Sequence, residues 1–151
     1  MEVLVEGRPL PSYAARGTVY IEALKWREYE IRLRNPYPVR VAVALSVDGL
    51  NTIDARHTSA QEARKWVLGP YETITLSGWQ ISLSHARRFV FTTEARSYGQ
   101  AMGMTEDLGV ISAVFFRERQ ALPQPIAQEG APSGYPAGRV GSGAPAPAPT
   151  A

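Results

Sequence analysis

Asp48, Asn51 and Asp54 recur at every third position where a long apolar run ends, and they are the chain's nearest approach to a metal site. Oxygen ligands on such a loop could hold calcium. The spacing is not that of an EF-hand loop, which needs a central glycine and a closing bidentate glutamate. Asp and Asn also settle in turns because their short side chains bond nearby backbone, and turn chemistry is the preferred reading. His57 and His85 are the only 2 histidines. Zinc takes three or four ligands at local spacing, and neither histidine has a partner of that kind. His57 with Asp54 and one of Ser46, Ser59 or Ser84 could be drawn as a triad, but no G-x-S-x-G elbow accompanies them. Gly99, Gly103 and Gly109 form no phosphate-loop pattern. With no cysteine at all, disulfides, zinc thiolates and thiol nucleophiles are excluded. The expectation is a protein with no catalytic residues, no bound cofactor and no metal.

Aromatic side chains offer contact without catalysis. Rings on the strands and loops of a β domain stack on sugars or anchor protein interfaces. Trp66 and Trp79 read as core filling. Trp26 lies between Lys25 and Arg27 and Tyr37 between two prolines, each at the tip of an expected hairpin. A large ring at an exposed tip serves contact better than core. Trp26 and Tyr37 are therefore the expected interaction residues.

The elements that carry these residues read as consecutive strands. Glu28–Arg34 alternates strictly, with Tyr29, Ile31 and Leu33 on one face and Glu28, Glu30, Arg32 and Arg34 on the other, the pattern of a strand with one wet side. Thr18–Ala23 precedes it, and the short link through Lys25, Trp26 and Arg27 suggests that the two pair as a hairpin. Asn35-Pro36-Tyr37-Pro38 forces a turn. In Val39–Val47 the odd positions form an apolar stripe, while Ala42, Ala44 and Ser46 are small, as for a central strand with something packed close behind. Asp48-Gly49 closes it with a tight turn. Tyr71–Leu76 and Arg87–Thr92 are further strands. Gly109–Phe116, apolar on both faces, reads as another central strand. Ser59-x-x-Glu62 matches a capping box, and Tyr98–Met102 before Gly103 matches a helical turn with a glycine stop.

Ser46-Val-Asp-Gly-Leu50, Gly69-Pro-Tyr-Glu-Thr-Ile-Thr-Leu-Ser-Gly-Trp79 and Leu108-Gly-Val-Ile-Ser-Ala-Val-Phe-Phe-Arg-Glu118, with Arg88–Thr92 and Ser97-Tyr98, resemble the landmarks of a widespread group of uncharacterised bacterial proteins. The resemblance spans residues 2–119. It implies a β-sandwich followed by a Pro-rich tail, and carries no activity or site.

Composition divides the chain near residue 120. Residues 1–120 have enough apolar sequence for a core, and the expected fold is all-β: a single antiparallel β-sandwich or small barrel with one or two short helical turns. Residues 121–151 are a Pro/Ala/Gly-rich stretch, whose few apolar side chains suit a flexible, disordered tail. Its Ala-Pro alternation favours an extended spacer. The 16 basic and 14 acidic residues leave a net charge of +2, and the basic ones are scattered, where a nucleic-acid binder concentrates them. No run reaches the roughly 18 apolar residues of a membrane span. Residues 1–20 lack the basic and apolar regions of a signal peptide, so the compartment is open between the cytoplasm and, for a mature form, the outside.

Together these features suggest a non-enzymatic module that binds a protein partner or assembles with its own copies. A carbohydrate-binding module is the alternative, although the charged face of Glu28–Arg34 offers no ring to a sugar. A hydrolase with an unrecognised site is the more distant one.

Overall fold

In the computed structural model, which describes residues 1–80, 82, 84–104 and 106–119, the alternating segments form strands paired antiparallel throughout. In chain order they are β1 (Glu2–Val5), β2 (Arg8–Pro9), β3 (Ser12–Ala15), β4 (Thr18–Ile21), β5 (Glu28–Arg34), β6 (Val41–Val47), β7 (Leu50–Asn51), β8 (Trp66–Leu68), β9 (Thr73–Leu76), β10 (Gly78–Gln80), β11 (Ala86–Val90) and β12 (Ile111–Arg117). A 3-10 turn (Glu94–Arg96) and a short helix α1 (Tyr98–Ala101) precede β12. The expected tail, residues 121–151, lies outside the described residues.

One sheet runs β10-β11-β5-β1-β2, with β9 also on β5; the other runs β12-β6-β7, with β8 also on β6. Both sheets are open, and each turns its apolar stripe to a shared core. Tyr29, Ile31 and Leu33 of β5 and Val41, Val43, Leu45 and Val47 of β6 are buried in it with Val3, Val5, Leu68, Trp79 and Phe89. The fold is all-β and antiparallel, as the alternation implies. The wet face of β5 is a charge ladder: Arg32 donates to Glu2 across β1 at 2.7 Å, and Arg88 to Glu28 across β11 at 2.7 Å.

Two local devices hold the sheets in place. The segment from Thr73 to Gln80 serves two partners, its first half on β5 and its second on β11. The switch depends on Gly78, where a Cβ would lie 2.0 Å from the Arg87 carbonyl oxygen. Asn35, fully buried, donates from Nδ2 to the carbonyls of Val39 and Gly69, both at 2.7 Å, while its Oδ1 accepts from the Tyr37 amide at 3.0 Å. One amide thereby satisfies backbone from both connections at that end of β5.

Several expectations need correction. β4 does not pair with β5. It pairs with β3 around Arg16-Gly17, whose φ values of 51° and 78° make the tight turn a hairpin prefers, while β5 takes β1 as its neighbour. Trp26 and Tyr37 are consequently not at hairpin tips, because β5 and β6 belong to different sheets. Among the described residues β12 is bonded on one side only, to β6, so it is an edge strand rather than a central one. Half of the Ser59 capping box forms, the Glu62 amide donating to Ser59 Oγ at 3.4 Å while that hydroxyl donates to the Glu62 carboxylate at 3.3 Å, and it closes a turn with no helix after it. The Tyr98 turn is helical, with Ser97 as its cap accepting from the Gln100 amide at 3.0 Å.

Tyr29 gives the core a pH dependence. Burial, with the Asp48 carboxylate adding to it, pushes the phenol well above its usual range. In the unfolded chain it ionises from about pH 10; in the folded one it stays neutral. The stabilisation is thus complete below about pH 10 and is lost above it, by about 1.4 kcal/mol per unit. Denaturant titrations at about pH 9 and about pH 11 are expected to show a steeper loss for the native chain than for Tyr29→Phe. Equal slopes would sink the assignment.

Candidate interaction surface

Trp26 and Tyr37 are both partly exposed, at 52% and 43%, but the structure does not bring them together. They flank opposite ends of β5, and its seven residues at about 3.3 Å each hold the two rings apart. Trp26 adopts a φ of 68°, a left-handed conformation that costs a bulky residue of order 1 kcal/mol or more. Its amide donates to the Phe91 carbonyl at 2.7 Å, which locks the turn, and its ring has Lys25 and Arg96 each 5.6 Å from the centroid. Tyr37 lies under the Arg117 guanidinium at 4.7 Å, and its carbonyl accepts from the amide of Tyr71, an exposed neighbour. Each ring is therefore a cation-flanked aromatic. Of the other tryptophans, Trp79 is in the core, and Trp66 packs against it with its indole N–H donating to Thr52 Oγ1 at 2.9 Å.

The Asp and Asn turn residues each direct Oδ1 to the chain's own backbone. Asp48 Oδ1 accepts from the Gly109 amide at 2.7 Å, Asn51 Oδ1 from Ile53 at 2.8 Å, and Asp54 Oδ1 from Arg56 at 3.1 Å. Among the described residues no group of three or more His, Cys, Asp or Glu is placed around a common point. His57 Nδ1 donates to the Gly49 carbonyl at 3.0 Å, away from Asp54. Ser84 Oγ lies 2.9 Å from Nδ1 of the other histidine, His85, so the triad drawn on sequence is not assembled.

A cavity of about 240 Å³ lies over the small outer face of β6. Ala44 and Ser46 form its floor with Ser112 and Val114 of β12, while His57 and Asp107 line it from the loops. The close cover expected behind those small residues is thus partly open space.

Among the described residues the most exposed apolar element carries neither Trp26 nor Tyr37. β3 and β4 form a two-stranded ribbon belonging to neither sheet, and seven of its eight residues are exposed. Tyr13 pairs across it with Tyr20, and their exposures are 59% and 54%; Val19 on the opposite face is 66% exposed. At its base, Ile21 packs against the core with Leu10 and Leu24. The signal was present in Arg16-Gly17, a two-residue turn between alternating runs.

No protein-family model, no curated protein and no solved structure matches the chain. No helix among the described residues is long and apolar enough to cross a membrane.

Proposed function

We propose that this chain is a non-enzymatic protein-binding or assembly module whose main contact element is the β3–β4 ribbon. The exposed Tyr13–Tyr20 pair carries the reading. An isolated two-stranded hairpin is marginal in water, and apolar rings held out on one suit a partner surface. Trp26 and Tyr37 are secondary contact points, each with a cation beside its ring that can take up an acidic group on a partner.

The test is a photo-crosslinking residue at Tyr20 in the full chain, with one at Arg34 on the charged sheet face as the comparison. Tyr20 is expected to give a discrete adduct, with another protein or with a second copy, that Arg34 does not. Tyr13→Ser combined with Tyr20→Ser should abolish the adduct formed from Trp26, while shifting the thermal midpoint by less than about 4 °C, near 1 kcal/mol. Identical labelling from Tyr20 and Arg34 would remove the support for the ribbon.

A further inference from the structure

β12 is an edge strand with the sequence of a central one. Soluble proteins keep edge strands short, charged, bulged or broken by proline, because an open row of N–H and C=O groups templates another strand. The other edges here obey. β2 is two residues long and contains Pro9, β7 is also two, β8 and β10 are three, and β9 is four. β12 runs seven residues in unbroken register with β6, and Ile111–Phe116 contains neither charge nor proline. Phe115 shares the core-facing side with its fully buried partner Val43, yet is 44% exposed; Val114, on the other face, is 39% exposed. Among the described residues nothing completes the core at this edge.

We infer that a second copy of this chain finishes it, with β12 of each copy pairing antiparallel about a two-fold axis at Val114. The occupant follows from the strand's complementarity to itself. With Val114 opposite Val114, Ala113 meets Phe115 and Ser112 meets Phe116, so each ring faces a small residue. The two Phe115 rings then sit diagonally across the axis, within aromatic reach at about 7–8 Å. Arg119 falls opposite Gly109, two residues or about 7 Å from Asp107, with Glu106 next. Among the described residues none of these three charges belongs to an ion pair. Parallel pairing would instead set Arg117 and Arg119 against themselves. The chain's own residues beyond 119 are a poorer occupant, since Pro123, Pro125, Pro132, Pro136 and the Ala-Pro repeat from Ala144 interrupt the donor row. This surface is separate from the β3–β4 ribbon, and neither assignment depends on the other.

Because the chain has no cysteine, a single introduced one reports the register. Val114→Cys is expected to give a disulfide-linked dimer on mild oxidation. The backbone groups of Val114 turn toward β6, so Val114 would face its copy as a non-hydrogen-bonded pair, with Cα atoms about 4.5 Å apart and within reach of a disulfide. Ser112→Cys, on the same face, should stay unlinked, because its copy lies about 13 Å further along. Sedimentation of the full chain should show a dimer, which Val114→Lys weakens by about ten-fold or more with the circular dichroism spectrum unchanged. Tyr13→Ser with Tyr20→Ser should dimerise as the native chain does. A monomer at up to ~1 mM, a dimer indifferent to Val114→Lys, or equal crosslinking from positions 112 and 114 would each overturn the inference. So would a dimer lost with the ribbon tyrosines. If Val114→Lys fails to fold, the cysteine pair decides alone.

Discussion

Val43→Asp is expected to abolish the native fold. Val43 has no exposure and sits in the middle of β6, opposite Phe115 on one side and Trp66 on the other. Its side chain meets the core shared by both sheets, where no cation is available to a carboxylate. Burying an unpaired charge costs several kcal/mol or shifts the group to its neutral form at similar expense. Domains of this size are stable by only about 5–15 kcal/mol in total. The variant should be insoluble, or soluble with the near-ultraviolet dichroism of packed aromatics lost. Arg32→Ala supplies the contrast: it breaks the exposed pair with Glu2 and should cost no more than about 0.5 kcal/mol. Tolerance of Val43→Asp together with collapse of Arg32→Ala would mean that the inner and outer faces have been interchanged.

Gly78→Ala should be nearly as damaging, although it adds one methyl group. That carbon would sit 2.0 Å from the Arg87 carbonyl oxygen and 2.5 Å from its carbon, both backbone atoms of the paired strand. Relief requires β10 and β11 to separate. Those strands carry Trp79 and Phe89, whose rings meet edge to face at 4.8 Å in the core, so separation opens the core as well. A loss of about 3 kcal/mol follows, or a thermal midpoint lower by roughly 10 °C. Gly69→Ala is the control, because its added carbon would meet only the flexible Glu72 carboxylate at 3.4 Å; it should cost less than about 1 kcal/mol. Equal melting of the two variants would show that the strand fork at Gly78 tolerates a side chain.

What could be read from the sequence was set by period and by turn chemistry. The alternation of Glu28–Arg34 and the stripe read over Val39–Val47, of which Val41–Val47 is strand, gave strands, faces and core, because burial on one side leaves a two-residue signature. Pairing partners left no such trace. Thr18–Ile21 alternates equally well whether it joins β5 or β3, and Arg16-Gly17 decided the matter. β12 failed differently: two apolar faces read as a central strand, and they do not say whether a strand with that pattern has one neighbour or two. Asn35 also escaped notice, since a polar residue before proline reads as an ordinary turn and its burial arises from loops far apart in sequence. Trp26 and Tyr37 are exposed as the reading required. Their separation by the length of β5 already followed from the strand read between them; what the sequence did not show is that neither sits at a hairpin tip.

The pairing of β6 has a consequence for how this domain folds. β6 is apolar on its inner face and small on its outer one, and neither β8 nor β12 is close by in the chain. β8 follows a long loop, and Val43 must find Phe115 across most of the domain. β1 likewise waits for β5. The β1–β2, β3–β4, β6–β7 and β10–β11 pairs close locally, but none of them joins the two long strands at the centre. Such a contact map places the chain with the slow β folders, on a timescale of roughly milliseconds to seconds. Until β8 and β12 arrive, β6 has only the short β7 beside it and most of both hydrogen-bonding rows open, the condition under which nascent chains stick to one another. The strand that gives the finished domain its centre is, until β12 arrives, its point of greatest danger.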